Sequence, residues 1–193
     1  MIGKEQLLSL YDMYLTQYPD ELEETSIFKE YLERTEDGML YDRKNFDGHI
    51  TTSAFIVDED GKELLLLRHK SLEKWLQPGG HTEGDASLIA SALREVVEET
   101  GIGAAELSFR PSHQLEDVPF DIDSHYIPAN PKKHEDGHYH HDIRYVFVYN
   151  GDRHNVFNLE EATGMKWLRF DELLDDLIFG DMVPKLHALL CNK

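Results

Sequence analysis

Residues 79–102 read GGHTEGDASLIASALREVVEETGI, a glycine turn followed by a segment that places Glu95, Glu98 and Glu99 three and four residues apart. At about 100° per residue these carboxylates occupy roughly a third of a helix circumference, so their charges share one stripe. Like charges at that spacing repel by a few tenths of a kcal/mol on an isolated helix, whereas a hard divalent cation turns the same crowding into binding. A solvated acidic face is the plainer alternative in a chain with 38 acidic residues. Against it stands the apolar stripe of Leu88, Ile89, Ala92, Leu93, Val96 and Val97, which predicts a docked helix. Asp85 as cap and Gly101 as stop predict a helix from Ala86 to Thr100.

The segment resembles the signature of the Nudix hydrolases, in which a glycine, a later glutamate, an Arg-Glu pair and a Glu-Glu pair stand at fixed spacing. Gly80, Arg94, Glu95, Val96, Glu98, Glu99, Gly101 and Ile102 fall on its positions. The departure is Ala86, where the pattern has glutamate; Asp85 precedes it and Glu83 is near, as if a carboxylate had moved by one place. The resemblance implies an α/β/α sandwich with a mixed β-sheet, a domain over residues 48–193, and an N-terminal helical extension over residues 1–47. It also implies Mg²⁺ or Mn²⁺ at Glu95, Glu98 and Glu99, with Glu98, Glu95 and Arg94 as catalytic residues and Glu98 leading as general base. Arg94 has two candidate jobs, clamping phosphate or tying down the glutamates by bidentate pairing, and the resemblance favours the second.

Composition narrows the partners. The 193-residue chain carries a net charge of −19 and shows no basic stripe, which excludes duplex nucleic acid as the expected partner. A small phosphate ligand remains compatible when a metal supplies the positive charge. The single cysteine, Cys191, allows no intrachain disulfide and fits a cytoplasmic protein; no apolar run is long enough to predict a membrane span.

Helices are predicted over Lys4–Thr16 and Glu21–Arg34, separated by Pro19 and Asp20, and their apolar positions suit packing on the main domain or in a homodimer. Strands are predicted at His49–Val57 and Glu63–His69 around an Asp-Glu-Asp-Gly turn, then at Ala105–Arg110, Phe120–Pro128, His141–Tyr149 and Met165–Phe170. Helices over Asp171–Phe179 and Val183–Leu190 close the chain.

Six of the eleven histidines lie between His113 and His141. Asp121, Asp123 and His125 alternate along one predicted strand, and His138, His140 and Asp142 along the next, so each set projects from one face. Paired as a hairpin, Asp123, His125, His138, His140 and Asp142 form a candidate second metal site of the Zn²⁺ type; a polar loop of hydrogen-bonded histidines is the alternative. This stretch resembles a subgroup of Nudix proteins in which Arg144 and Tyr145 line the substrate side.

Other candidate substrate contacts are Gly79 and Gly80, whose turn admits close backbone approach, His81 directly after them, and Arg68 at a strand end. Trp75 suits either packing or stacking on a base, and Trp167 suits the core. The expected activity is metal-dependent cleavage of a diphosphate linkage in a nucleoside diphosphate derivative. The Ala86 departure also allows a weakly catalytic nucleotide-binding or sensor module. An isomerase of isoprenoid diphosphates would want a pocket cysteine, which the position of Cys191 does not offer.

Overall fold

Helices α1 (Lys4–Gln17) and α2 (Ser26–Arg34) open the computed structural model, which describes residues 1–70, 72–115, 117–132, 134–152 and 162–191. Between them Pro19–Glu21 forms a short 3₁₀ turn, so the second helix begins five residues later than the Glu21 start expected. Proline at the first position of that turn fixes its φ and lacks the N–H that a continuing helix needs. Eight strands and three helices follow: β1 (His49–Asp58), β2 (Glu63–His69), β3 (Trp75–Leu76), β4 (Gly79–His81), α3 (Leu88–Thr100), β5 (Leu107–Phe109), β6 (Asp121–Ile127), β7 (His138–Tyr149), β8 (Ala162–Arg169), α4 (Phe170–Leu173) and α5 (Met182–Cys191).

The chain forms two compact units, and β1, α3 and β7 contribute to both. The first comprises Met1–Ser53, Gly79–Arg94 and Pro111–Tyr145, so helices α1 and α2 share a unit with the hairpin β6–β7. Here β4 pairs antiparallel with β1, Ser53 opposite Gly79 and Thr51 opposite His81. Strand β6 pairs antiparallel with β7 from Asp121 opposite Arg144 to Ile127 opposite His138, the hairpin expected from the alternating pattern. One face of that hairpin carries Asp121, Asp123, His125, His138, His140, Asp142 and Arg144. Its other face packs on α2: the Tyr31 ring stacks on His141 at 4.1 Å, and Phe28, Tyr31 and Leu32 are fully buried. The Tyr31 hydroxyl, sequestered with them, donates to the carbonyls of Leu40 and Gly48.

The second unit comprises Ala54–Pro78, Glu95–Arg110 and Val146–Lys193. Strand β2 is its centre, pairing antiparallel with β1, β3 and β8, and Leu64, Leu65, Leu66 and Leu67 are all buried, as their uniformly apolar run predicts. The β1–β2 turn closes with Gly61 at φ 67° and the Asp58 carboxylate accepting from the Lys62 and Glu63 N–H groups. Strand β5 pairs with the end of β7. The expected long helix over Asp171–Phe179 is instead the single turn α4, because the Asp176 side chain takes the N–H groups of Ile178 and Phe179 and offers the backbone a turn. Trp167 is half-buried, not in the core, and packs against Tyr149 at 5.7 Å.

Candidate active site and histidine cluster

The start of α3 is built by three side chains. Ser87 caps the helix, its hydroxyl accepting from the Ala90 N–H, so the helix begins at Leu88 and not at Ala86. Asp85, expected as the cap, does other work. Its carboxylate receives Arg94 Nε at 3.0 Å and Arg94 Nη2 at 3.2 Å, a bidentate pair, and also accepts from the Glu83 N–H. Burial acts to raise the Asp85 pKa, but the Arg94 contacts outweigh it and hold the carboxyl below its usual range. Arg94 Nη2 also donates to the His81 carbonyl at 2.8 Å. Thus Arg94 ties helix α3 to the glycine turn through Asp85, an aspartate one place before the family's glutamate, where pairing with the helix glutamates was expected.

Gly79 is required by the sheet: a Cβ there would lie 2.7 Å from Ser53 Cα and 2.8 Å from the Thr52 carbonyl oxygen. No L side chain fits that approach. Gly101 ends α3 at φ 70°, its N–H bonding the Val97 carbonyl. Along α3, Glu95 and Glu99 are 8% and 7% exposed while Glu98 is open to solvent. Buried carboxylates need compensating charge or donors, and an all-oxygen set on one stripe suits a hard divalent cation such as Mg²⁺ or Mn²⁺.

In the first unit four imidazoles draw together. His49, His138 and His140 each offer a ring nitrogen, and these atoms lie within 4.8 Å of one another, the one such trio of metal-capable side chains among the described residues. The His81 ring stands 5.0 Å from His49 and 5.3 Å from His140, centroid to centroid. Burial, followed by repulsion from the neighbouring imidazoles, pushes His49 down to about 4 and His140 down to about 2. Both rings are therefore neutral at pH 7. His49 is the member that sequence reasoning passed over; the visible signal was an imidazole heading a strand that is buried along its whole length.

The carboxylates expected beside these histidines are committed elsewhere. Arg144 donates through Nε to Asp142 at 2.9 Å, through Nη1 to Asp121 at 3.1 Å and through Nη2 to Asp123 at 2.8 Å. Burial alone would lower the Arg144 pKa, and the three aspartates more than reverse it. Asp142 accepts in addition from the hydroxyls of Thr51 and Ser53. Asp123 also pairs with His125 Nδ1 at 2.6 Å. Asp123, His125 and Asp142, expected in the metal set, are placed in this network around Arg144. Arg144 itself stands in a buried four-charge hub, with three of its five N–H groups taken by aspartates. Tyr145 is buried, its hydroxyl donating to the Asp117 carbonyl, which makes it a core residue and not the expected substrate contact.

In the second unit, Arg68 is exposed and pairs across β2–β3 with Trp75, whose ring carries the Lys166 ammonium at 4.1 Å. Trp75 is accordingly half-buried with one face taken by a cation. Among the described residues no helix is long and apolar enough to cross a membrane.

The chain is 33% identical over 102 residues to a probable DHNTP pyrophosphohydrolase of Lactococcus lactis, covering 53% of this chain and 55% of that protein. It is 42% identical over 72 residues to the phosphatase NudJ of Escherichia coli, covering 36% of this chain and 45% of that one. The chain spans about half the length of the curated relatives it matches. Among solved structures, a Nudix-family hydrolase of Clostridium perfringens aligns with TM-score 0.55 at 22% identity, over 73% of this chain and 97% of that one. A C. elegans Ap4A hydrolase aligns with TM-score 0.54 at 20% identity, over 73% and 96%. Both likenesses show the α/β fold with its mixed sheet. The NUDIX domain model matches residues 47–187, and with the Arg94-tied helix and its glutamates lying inside that span, the chain belongs to the Nudix family.

Proposed function

We propose that this protein is a pyrophosphohydrolase that cleaves a diphosphate linkage in a small nucleotide derivative with Mg²⁺ or Mn²⁺ held by Glu95, Glu98 and Glu99. The observation that carries this reading is the bidentate Arg94–Asp85 pair. Ala86 is the feature that allowed a weakly catalytic sensor, and Asp85 supplies the carboxylate that Ala86 lacks, one residue away.

When bound, the divalent ion supplies neutralisation of the diphosphate oxygens and activation of water. The protein's own residues do the rest. Arg94 holds the His81 carbonyl and Asp85, so the Gly79–Gly80–His81 turn is fixed against the start of α3 before substrate arrives. Gly80 keeps side-chain bulk off that turn, which supports contact with phosphate through backbone. Glu98, the exposed member of its trio, is the residue we assign as general base, as the family resemblance implies.

A relative named as a probable DHNTP pyrophosphohydrolase supports a small phosphoanhydride as the substrate class. With Mg²⁺ in excess, hydrolysis is measured by chromatographic separation of the phosphorylated products over pterin triphosphate, dinucleoside polyphosphates, nucleotide sugars and nucleoside triphosphates. Turnover of one of these above the rest is expected; bound nucleotide without turnover of any would replace the hydrolase by a sensor.

A further inference from the structure

We infer that the first unit contains a second metal site, distinct from the glutamates of α3, in which Nε2 of His49, His138 and His140 bind one borderline divalent ion of the zinc class. Three observations on these side chains support it.

The first is spacing. His138 Nε2 and His140 Nε2 are 3.2 Å apart, close to the roughly 3.3–3.4 Å edge of a tetrahedron whose metal–nitrogen bonds are about 2.0–2.1 Å. The third nitrogen lies within 4.8 Å of both, a distance that ring rotation about χ angles can close.

The second is tautomer. A backbone carbonyl only accepts, so His138 Nδ1, 2.7 Å from the Asp136 carbonyl, carries the proton, and its Nε2 presents a lone pair. His49 Nδ1 faces the Asn45 carbonyl at 3.4 Å in the same sense. An imidazole that donates its far N–H to a backbone carbonyl is the usual outer-shell arrangement of a metal-bound histidine, because it fixes both tautomer and ring orientation.

The third is an unmet lone pair. His49 is 0% exposed, and its Nε2 has no hydrogen-bond partner among the described residues. Leaving a buried acceptor unsatisfied forfeits its solvation with nothing in return. One imidazole donating to another accounts for the contact between His138 and His140, but gives His49 nothing. A cation accounts for all three nitrogens together. Three neutral nitrogen ligands with no carboxylate select zinc, cobalt or nickel over magnesium, since Mg²⁺ prefers oxygen. The His81 ring stands beside the trio, 5.0 Å from His49 and 5.3 Å from His140 between centroids.

The test uses the full chain purified without a histidine tag, stripped with chelator and re-equilibrated with zinc under excess Mg²⁺, so that the glutamates are occupied by the harder ion. One equivalent of zinc is expected on wild type and equally on Glu98→Gln, and less than a tenth of an equivalent on the double variant His138→Gln/His140→Gln. Cobalt is expected to give a visible ligand-field spectrum that zinc abolishes. Should the double variant fail to fold, imidazole NMR of wild type decides: zinc is expected to shift the Nε2 resonances of His49, His138 and His140 together. Zinc retained undiminished by a folded double variant, no zinc on folded wild type, or zinc binding that leaves those three resonances in place overturns the site. Loss of zinc with pyrophosphohydrolase activity intact, or the converse, keeps this inference separate from the hydrolase reading.

Discussion

The glutamate stripe of α3 and the histidine trio both gather metal-capable side chains, by opposite means. Glu95, Glu98 and Glu99 are neighbours because one helix repeats every 3.6 residues, so five consecutive residues suffice to put them on one stripe. His49, His138 and His140 come from β1 and β7, nearly ninety positions apart, and share a site only because the sheet brings those strands together. The donor chemistry differs in the same way. Oxygen-only carboxylates suit a hard ion, and neutral imidazoles a borderline one. Local periodicity therefore announces one kind of site from the sequence, while pairing of distant strands conceals the other.

The sharpest way to break this contrast is Glu98→Gln. Turnover is expected to fall by about 10²–10⁴-fold, the span for losing a general base, with zinc stoichiometry unchanged. Steady-state kinetics alongside elemental analysis reads both; parallel loss of zinc would merge the two regions into one site.

Next in size is the aspartate hub that organises the histidine hairpin. Asp142→Ala strands part of the buried Arg144 charge and removes the acceptor of Thr51 and Ser53, and urea unfolding is expected to show a loss of about 3–5 kcal/mol. A change within error would mean that the hub does not hold the hairpin.

A smaller effect sharpens the glutamate side. Asp85→Ala should lower kcat by about 10–100-fold, as loss of an outer partner does, and adding Ala86→Glu in that background should recover most of it. No recovery would show that the carboxylate's position, not its presence, governs Arg94.

A pH dependence tests the packing beneath the hairpin. Burial, then the charge of Arg34, pushes His141 from 6.5 down to about 3, so the unfolded chain binds a proton that the folded one refuses between those values. Its contribution to stability is whole above pH 6.5 and is lost as pH falls toward 3, at up to about 1.4 kcal/mol per unit. Denaturant midpoints in EDTA should decline over that window, and less steeply in His141→Phe, whose ring can keep the stack on Tyr31.

Much of the α/β architecture was legible because its signals are short-range. The run Leu64–Leu67 reads as an interior strand, the Asp58–Gly61 turn as a hairpin, and the stripe beside Glu95 as a docked helix. Errors arose where a side chain had two local uses. Asp85 and Ser87 both suit a helix cap, and only the reach of Arg94 across nine residues assigns them. Asp176 likewise diverts a helical pattern into a turn.

By itself the sequence determined the family, the carboxylate stripe and the strand alternation that puts seven polar residues on one face of the hairpin. These depend on helical and strand periods, which a chain carries in its own order. Tertiary structure alone decided which of those seven pair among themselves: Arg144 lies opposite Asp121 and takes Asp123 and Asp142, while His138 and His140 are left to His49. A cross-strand register fixes such choices through distances of a few ångströms between residues that have no fixed relation along the chain.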